Sequence, residues 1–331
     1  MKINLVLLIF IIFLTSCQEA TVPFFANEES VKRELENDFI CDELARANQP
    51  YANSGEVSGV GRRQAFNICT PAQFLNIGKR KQDWDKYFNI RADLNFKEEL
   101  LLVGVDFFPI GEITYYSDYD LAKNDRLAFT GVIDGKGHSI LRLSILFDKY
   151  NKRSIGIFPY IAKSGELRNI NFENIRIIHE TGEDFIDDTT TLSIAGSIVG
   201  LSDGARFENI RASRVQLIHE FQNEKSSVGI FSGVLINSIL NGVSVYSNQS
   251  SSQSEASGGL AGIVLGGRFT GINVEVAKIN GISNSGGFAG VIEGKSISIL
   301  NDIVDAPIDV VAISDLSLKM LEDQDSIGFG G

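Results

Sequence analysis

Phe207-Glu-Asn209-Ile210 and Phe269-Thr-Gly271-Ile272 are two copies of the pattern that decides the fold. Each copy has a large apolar residue, any residue, a turn-forming residue and then Ile or Val. Apolar side chains three positions apart point to opposite faces of a straight strand, so both can face a core only if the chain bends between them. We expect the bend at the third residue, which tolerates the left-handed backbone region. The other copies are Phe172-Glu-Asn174-Ile175, Leu240-Asn-Gly242-Val243 and Leu300-Asn-Asp302-Ile303, and successive copies lie 35, 33, 29 and 31 residues apart.

A corner that recurs at this spacing is typical of a β-solenoid. Each coil would stack on the previous one by parallel pairing, and the inward side chains would form one apolar column. A second landmark, a glycine within an apolar run, precedes each corner by 10 to 16 residues. An antiparallel sandwich is the alternative, but hairpins do not explain the recurring corner. The sequence therefore predicts an all-β fold with coils over residues 101–312 and corner positions at Asn174, Asn209, Gly242, Gly271 and Asp302.

Both ends of a solenoid need cover, because exposed strand edges pair with other chains. Thr70 can cap a helix and Pro71 suits its first position, so we predict a short capping helix over 71–81 and then a strand over 87–94. Residues 314–322 have helical spacing and are predicted to cover the last coil. The remaining boundaries are an arm over 17–66, the capping helix and first strand over 67–100, a C-terminal cap and tail over 313–331, and polar loops at 179–191 and 247–257.

The N-terminus has the layout of a secretory signal over residues 1–16. Lys2 is followed by an apolar run over 5–14 that is shorter than the roughly 20 residues needed to span a bilayer. Leu14-Thr-Ser-Cys17 then resembles the lipobox of bacterial lipoproteins. This resemblance predicts cleavage before Cys17, lipid attachment to its thiol and anchoring in the cell envelope; Gln18 favours the outer membrane by analogy with enterobacterial sorting. An ordinary signal peptide with a chance cysteine is the alternative.

Two further cysteines, Cys41 and Cys69, form an even pair in a chain predicted to be exported. Disulfides persist in oxidising compartments, so we predict that these two residues are bonded. Two buried free thiols are the alternative. The pairing would attach the N-terminal arm to the domain.

The composition argues against several classes of partner. The formal net charge is −12, whereas nucleic acids and anionic lipids require basic patches. His138, His179 and His219 share no ligand spacing with the cysteines or with one another, so no metal site is predicted. Residues 289–296 match a relaxed phosphate-loop pattern, but strand-like residues follow where a helix would be needed. The sequence therefore predicts no cofactor, no nucleotide and no nucleic acid.

Several segments together resemble GLUG-motif proteins. Phe129-Thr-Gly-Val-Ile-Asp134-Gly-Lys-Gly-His-Ser-Ile140 resembles the segment that opens many of them, and Gly258-Gly-Leu-Ala-Gly262 and Gly286-Gly-Phe-Ala-Gly290 resemble the repeat core. Residues 69–77 and 90–94 resemble the preceding helix and strand. The resemblance covers about residues 66–305. It implies a right-handed parallel β-helix of a bacterial surface protein, often adhesin-like, without shared catalytic residues.

We therefore expect a lipid-anchored, non-catalytic module that binds a glycan or a protein of the envelope or host surface. A carbohydrate-active enzyme is one alternative, for which Asp134 with His138 is the best candidate pair. A spacer without a ligand is the other. Stacked acidic residues in a groove would favour the enzyme. An exposed ladder of aromatic or polar residues would favour the binding module, and a featureless charged surface would favour the spacer. The acidic residues Glu183, Asp184, Asp187 and Asp188 lack the regular spacing of a calcium site and are expected on a solvated loop.

Overall fold

The computed structural model describes part of the compact unit Cys41–Gly331. The predicted signal peptide, Cys17, the acidic residues at 183–188 and Asp302 lie outside the described part, so the predictions for them stay predictions. The described residues are 41, 49–53, 59–96, 101–103, 107–113, 127–147, 154–179, 193–247, 249–276, 279, 284–292 and 311–320.

Strands dominate the described residues, as the sequence predicts. Helix α1 spans Pro71–Lys79, and single 3-10 turns occupy Arg62–Gln64 and Lys81–Asp83. The strands are β1 Phe66–Ile68, β2 Tyr87–Ile90, β3 Leu94–Asn95, β4 Leu101–Val103, β5 Val132–Asp134, β6 Ser139–Leu141, β7 Ser144–Phe147, β8 Ser154–Ile155, β9 Phe158–Ile161, β10 Glu166–Glu173, β11 Arg176–His179, β12 Ser193–Gly196, β13 Val199–Asp203, β14 Arg206–Ser213, β15 Gln216–Gly229, β16 Ser232–Ser247, β17 Gln249–Gly258, β18 Ala261–Val276, β19 Asn284–Gly286, β20 Ala289–Ile292 and β21 Val311–Met320.

These strands form two sheets in which every described pairing is parallel. The first sheet has 13 strands, with the main order β1-β2-β5-β10-β14-β16-β13-β9, and the second has 8, with the main order β19-β17-β15-β11-β7-β4. The chain passes from β14 in the first sheet to β15 in the second, then to β16 in the first and β17 in the second. Parallel neighbours thus come from successive passes of the chain, as an all-β fold of stacked passes requires.

The core is a column of apolar residues that repeats from one pass to the next. On one side of the first corner, each residue of the column is paired in register with the next: Leu167, Phe207, Leu240 and Phe269. On the other side, Ile170 pairs with Ile210, and the same register continues through Val243 and Ile272. The described members of both columns up to β18 are at most 1% exposed.

The predicted alignment places the corner copy Phe172-Glu-Asn174-Ile175 in the wrong register. Phe172 pairs with Ala212, whereas Leu167 pairs with Phe207, so Asn169 rather than Asn174 is aligned with Asn209. Asn169 and Asn174 both adopt the left-handed region, with φ of 53° and 54°, so β10 is followed or interrupted by a corner at each of them. Each asparagine is followed by a buried isoleucine, so the four-residue pattern cannot separate the two corners. Asn209, Gly242 and Gly271 lie in the first column with φ of 52°, 66° and 62°.

The helix predicted for residues 314–322 is wrong for residues 314–320, because these belong to strand β21. β21 pairs with β18, with Ile313 opposite Phe269 and Leu316 opposite Ile272. Residues 313–316 therefore have the sequence pattern of a further corner copy and lie beside the copy that contains Gly271.

The glycine landmark marks a tight turn between the two sheets. Gly196, Gly229, Gly258 and Gly286 are paired in register. A methyl group at any of them would overlap the carbonyl oxygen three residues further along the chain. These positions thus require glycine because there is no room for a side chain. The corner positions instead require a residue that tolerates positive φ.

The described residues of the predicted arm are attached to the strands. Tyr51, within the predicted arm, is fully buried, with its ring centre 4.6 Å from that of Phe66 and its hydroxyl donating to Asp83. Burial and the carboxylate of Asp83 raise the pKa of Tyr51. The predicted disulfide is present between Cys41 and Cys69. Hydrophobic contact and a covalent link therefore both attach this segment to the strands.

Helix α1 begins as the sequence indicates. The Thr70 hydroxyl accepts a hydrogen bond from the Gln73 backbone N–H at 3.3 Å, and Pro71 is the first helical residue. Phe74 and Ile77 are buried. The helix ends at Lys79, two residues before the predicted end. Its role as a cover for the strand edges remains a prediction.

The polar loop predicted at 247–257 is largely strand β17, which pairs with β15. Serines are compatible with a sheet here, because the hydroxyls of those whose side chains are described have partners inside the structure. Ser254 is fully buried and its Oγ lies 2.6 Å from that of Ser257, while Ser247 donates to the Val215 carbonyl at 2.7 Å. Serine composition alone does not therefore distinguish a loop from a hydrogen-bonded strand here.

Candidate binding groove

A polar groove lies on the outer face of the first sheet, just after the first corner. Alternation along β10 turns Ile170 and Phe172 inward and Asn171 and Glu173 outward, and the neighbouring strands repeat this arrangement in register. The outward positions enclose a depression of about 500 Å³ lined by Ser139, Asn171, Glu173, Arg211, Ser213, Arg214 and Tyr246.

Two rows of side chains cross the strands at this groove. In the first row, Asn171 pairs with Ser139 and Arg211, and the register continues to Ser244 and Asn273. The second row contains Glu173, Ser213, Tyr246 and Glu275. Successive strands of a sheet are about 4.8 Å apart, so each row presents one polar or aromatic group per strand.

Tyr246 is held in the groove from two sides. The Arg211 guanidinium carbon lies 5.2 Å from the centre of its ring, within the range of a cation–π contact. The side-chain amide of Asn273 donates to its hydroxyl at 2.8 Å. Tyr246 is half-buried, so part of the aromatic surface stays accessible in a fixed orientation.

The charges of the groove differ from those of the whole chain. Arg214 and Glu173 form an ion pair across neighbouring strands. The Arg211 side chain is exposed and, within the described part of the chain, no carboxylate lies within salt-bridge distance of it. Two arginines and one glutamate thus line the groove, in a protein whose formal net charge is −12.

The structure does not bring Asp134 and His138 together as a catalytic pair. Asp134 is 4% exposed and bonds to Arg168 Nε at 2.9 Å and to Asn169 Nδ2 at 3.1 Å. His138 Nδ1 instead lies 3.4 Å from a carboxylate oxygen of Asp93. Burial alone would raise the pKa of Asp134, but hydrogen bonds from Asn169 and Lys136 and the charge of Lys136 outweigh it and lower that pKa. An ionised and fully bonded carboxylate is a poor general acid.

The sequence did not reveal a pair of buried histidines. His179 and His219 are paired in register, with ring centres 5.0 Å apart and their Nδ1 atoms 3.0 Å apart. His219 is 1% exposed, and its Nε2 lies 3.3 Å from Ser193 Oγ. Burial and the neighbouring His179 lower the pKa of His219 well below its usual value, so it is neutral near pH 7. The sequence feature that could have revealed the pair is the spacing of 40 residues between His179 and His219, which equals the spacing between the aligned Asn169 and Asn209.

The groove residues were missed for a related reason. Arg211 and Asn273 directly follow the second apolar residue of their corner copies, Ile210 and Ile272. An alignment of all corner copies in the correct register would have placed both in one outward row.

The described part of the chain has neither a metal-ligand cluster nor a membrane-spanning helix. No three His, Cys, Asp or Glu side chains of these residues are grouped as a metal site would require. Among the same residues, no helix has the length and apolar character to cross a membrane.

No family model, curated protein or solved structure matches this chain. The resemblance to GLUG-motif proteins therefore depends on the motif residues alone and stays a prediction.

Proposed function

We propose that this protein is a lipid-anchored cell-envelope protein whose strands form a right-handed parallel β-helix, and that the groove beside the first corner binds an extended glycan without cleaving it. Parallel pairing between successive passes, with the chain alternating between two sheets, supports the β-helix. Crossovers between parallel strands of one sheet are right-handed in almost all proteins, which supports the handedness.

The observation that carries the proposed function is the fixed Tyr246 ring beside rows of polar groups. Sugars present apolar C–H faces and hydroxyl edges, so an oriented aromatic ring with adjacent donors and acceptors suits them. Ser213 supplies such a group on the strand next to the ring, and Asn171 supplies another on the strand beyond it. A rigid row with one group per strand also matches a ligand that is itself a repeating chain.

The acid content of the groove favours binding over cleavage. Glycoside hydrolysis normally uses two carboxyl groups placed across the scissile bond. Glu173 is the only carboxylate among the residues that line the groove, and it is paired with Arg214. Asp134, the catalytic alternative, is buried and bonded elsewhere.

Attachment to the membrane, through Cys17, and location in the outer membrane belong to the same proposal. The lipobox-like sequence before Cys17 supports the attachment, and Gln18 after it supports the outer-membrane location by analogy with enterobacterial sorting. The anchor would hold the groove at a cell-envelope surface, where polysaccharides and surface proteins are available as partners.

The test measures binding and cleavage together, with purified protein and a panel of polysaccharides. We expect retention of at least one polymer, no release of new chain ends, and about tenfold weaker binding for Tyr246→Ala, equivalent to about 1.4 kcal/mol. Arg206→Ala is the matched control, because Arg206 is exposed on β14 but lies before the corner and outside the groove. Release of chain ends, or no retention of any polysaccharide, would overturn the proposal.

A further inference from the structure

The second column of left-handed corners contains arginines where smaller residues would be less strained. Arg142, Asn174 and Arg214 directly follow residues that pair in register, Leu141, Glu173 and Ser213. Their φ values are 60°, 54° and 53°. A long side chain is more strained in this region than glycine, and Asn is the side chain that best tolerates it.

Strain of this kind is kept where a side chain has a role beyond packing. Arg214 lines the groove, and its side chain is 58% exposed, so burial does not account for an arginine there. Arg142 occupies the same corner two strands away, roughly 10 Å along the column. The column thus places the cationic side chain of Arg214 at one margin of the groove.

Arg211 adds a positive charge at the groove floor. It stacks against Tyr246, which orients the guanidinium while its edge N–H groups stay free to bind an anion. Planar guanidinium groups bind carboxylate and sulfate oxygens with two parallel hydrogen bonds. At physiological ionic strength the screening length is about 8 Å, so a bound anion senses these arginines far more than the distant acids of the chain.

We infer that the ligand of the groove is an acidic polysaccharide, one that carries carboxylate or sulfate groups along its chain. This inference deepens the proposed glycan binding and depends on it. The anionic group would contact Arg211 and Arg214, and the sugar ring beside it would lie on Tyr246. A nucleic acid is disfavoured, because the groove lining contains a single aromatic ring and the net charge of −12 repels a long, densely charged chain.

The experiment compares polymers that differ in charge. Affinities of the purified protein for polygalacturonate, dextran sulfate, neutral dextran and single-stranded DNA are measured at 0.05, 0.15 and 0.5 M NaCl. We expect the carboxylate or the sulfate polymer to bind at least about tenfold more tightly than neutral dextran, with an advantage that falls as salt rises. The two charged polymers show which anion is preferred.

Arg214→Asn separates a binding role from a structural one. Asn174 occupies the neighbouring position of the same column with φ of 54°, so asparagine fits this backbone. We expect the variant to melt at the wild-type temperature or above it and to bind the acidic polymer about fivefold less tightly. Arg211→Ala should show the same loss of affinity, and Arg206→Ala should show none.

The outcomes distinguish this inference from the proposal on which it depends. Equal affinity for neutral and acidic polymers, unchanged by Arg211→Ala, would overturn the inference and leave glycan binding in place. Binding of single-stranded DNA as tight as that of the acidic polymers would also overturn it. Failure to bind any polysaccharide would overturn the proposed function itself.

Discussion

Gly271 and Gly258 both belong to the repeat pattern of this chain, but replacing them should destabilise the fold for different reasons. At Gly271, with φ of 62°, the nearest atom to an added Cβ is the Gly242 nitrogen at 3.5 Å, an ordinary contact. The cost of a side chain there is therefore conformational. At Gly258 an added Cβ would overlap the Ala261 carbonyl oxygen, so the cost is steric.

The magnitudes follow from these two situations. An alanine at Gly271 should cost about 1–2 kcal/mol, and the β-branched valine about 2 kcal/mol or more. Asparagine should cost well under 1 kcal/mol, because Asn169 and Asn209 adopt φ of 53° and 52° in the same column. Gly258→Ala requires backbone movement in a packed sheet and should cost about 3 kcal/mol.

Urea unfolding of the four variants, with thermal melting in parallel, measures these costs. From the most to the least stable, we expect Gly271→Asn, Gly271→Ala, Gly271→Val and then Gly258→Ala. The melting temperature should fall by about 2 °C for each kcal/mol of unfolding free energy that is lost. Gly61→Ala is a comparison outside the corner column: Gly61 has φ of 74° and ψ of 171° with open space around it, so its replacement should destabilise the protein through backbone strain alone. Equal stability of Gly271→Val and Gly271→Asn would refute the left-handed corner, and a neutral Gly258→Ala would refute the tight turn.

Two further predictions concern pH and the disulfide. Because the pKa of His219 is lowered in the folded protein, the unfolded state binds more protons below pH 6.5; stability should therefore fall by about 1.4 kcal/mol per pH unit from pH 6.5 toward the lower, folded pKa. Urea midpoints at pH 7 and 5.5 should differ less for His219→Phe, which copies Phe147 two strands away, and an unchanged difference would contradict the prediction. The link between Cys41 and Cys69 closes a segment of 28 residues, so replacing both by serine should lower the free energy of unfolding by about 3.5 kcal/mol. A midpoint unaffected by the replacement would contradict that estimate.

The parallel, all-β character of the fold could be predicted because the corner combines two independent physical requirements. Phe207 and Ile210 must both be buried, and Asn209 between them must adopt positive φ. A straight strand satisfies neither, so the pattern is informative without any relative. The helix start at Thr70 and Pro71 was readable for a similar reason, since a side-chain acceptor and a missing donor both suit a helix N-terminus.

Register was harder to predict, because a second corner imitates the first. Asn174 satisfies the same local pattern as Asn169, and only pairing across strands separates them. The misassigned register also concealed the pairing of His179 with His219 and the place of Asn171 in the outward row that contains Arg211. The spacing at residues 314–322 misled in another way, because a strand with a corner in it places apolar residues three and two apart and imitates a helix over a short window.

The two columns of left-handed corners differ in what their side chains do: those of the first column stabilise the bend, whereas Arg214 in the second belongs to the proposed binding groove. In the first column, Asn209 Nδ2 donates to Asn169 Oδ1 at 3.0 Å, and Asn169 donates to Asp134, so these side chains satisfy one another and stabilise the bend. In the second column, Arg142 and Arg214 accept the same backbone conformation at a higher cost. An arginine at such a site gains little from the bend itself, since asparagine would hold it equally well. Arg214 adds a longer, positively charged side chain to the groove that contains Tyr246, and for this reason we place the anionic group of the ligand at this margin of the groove.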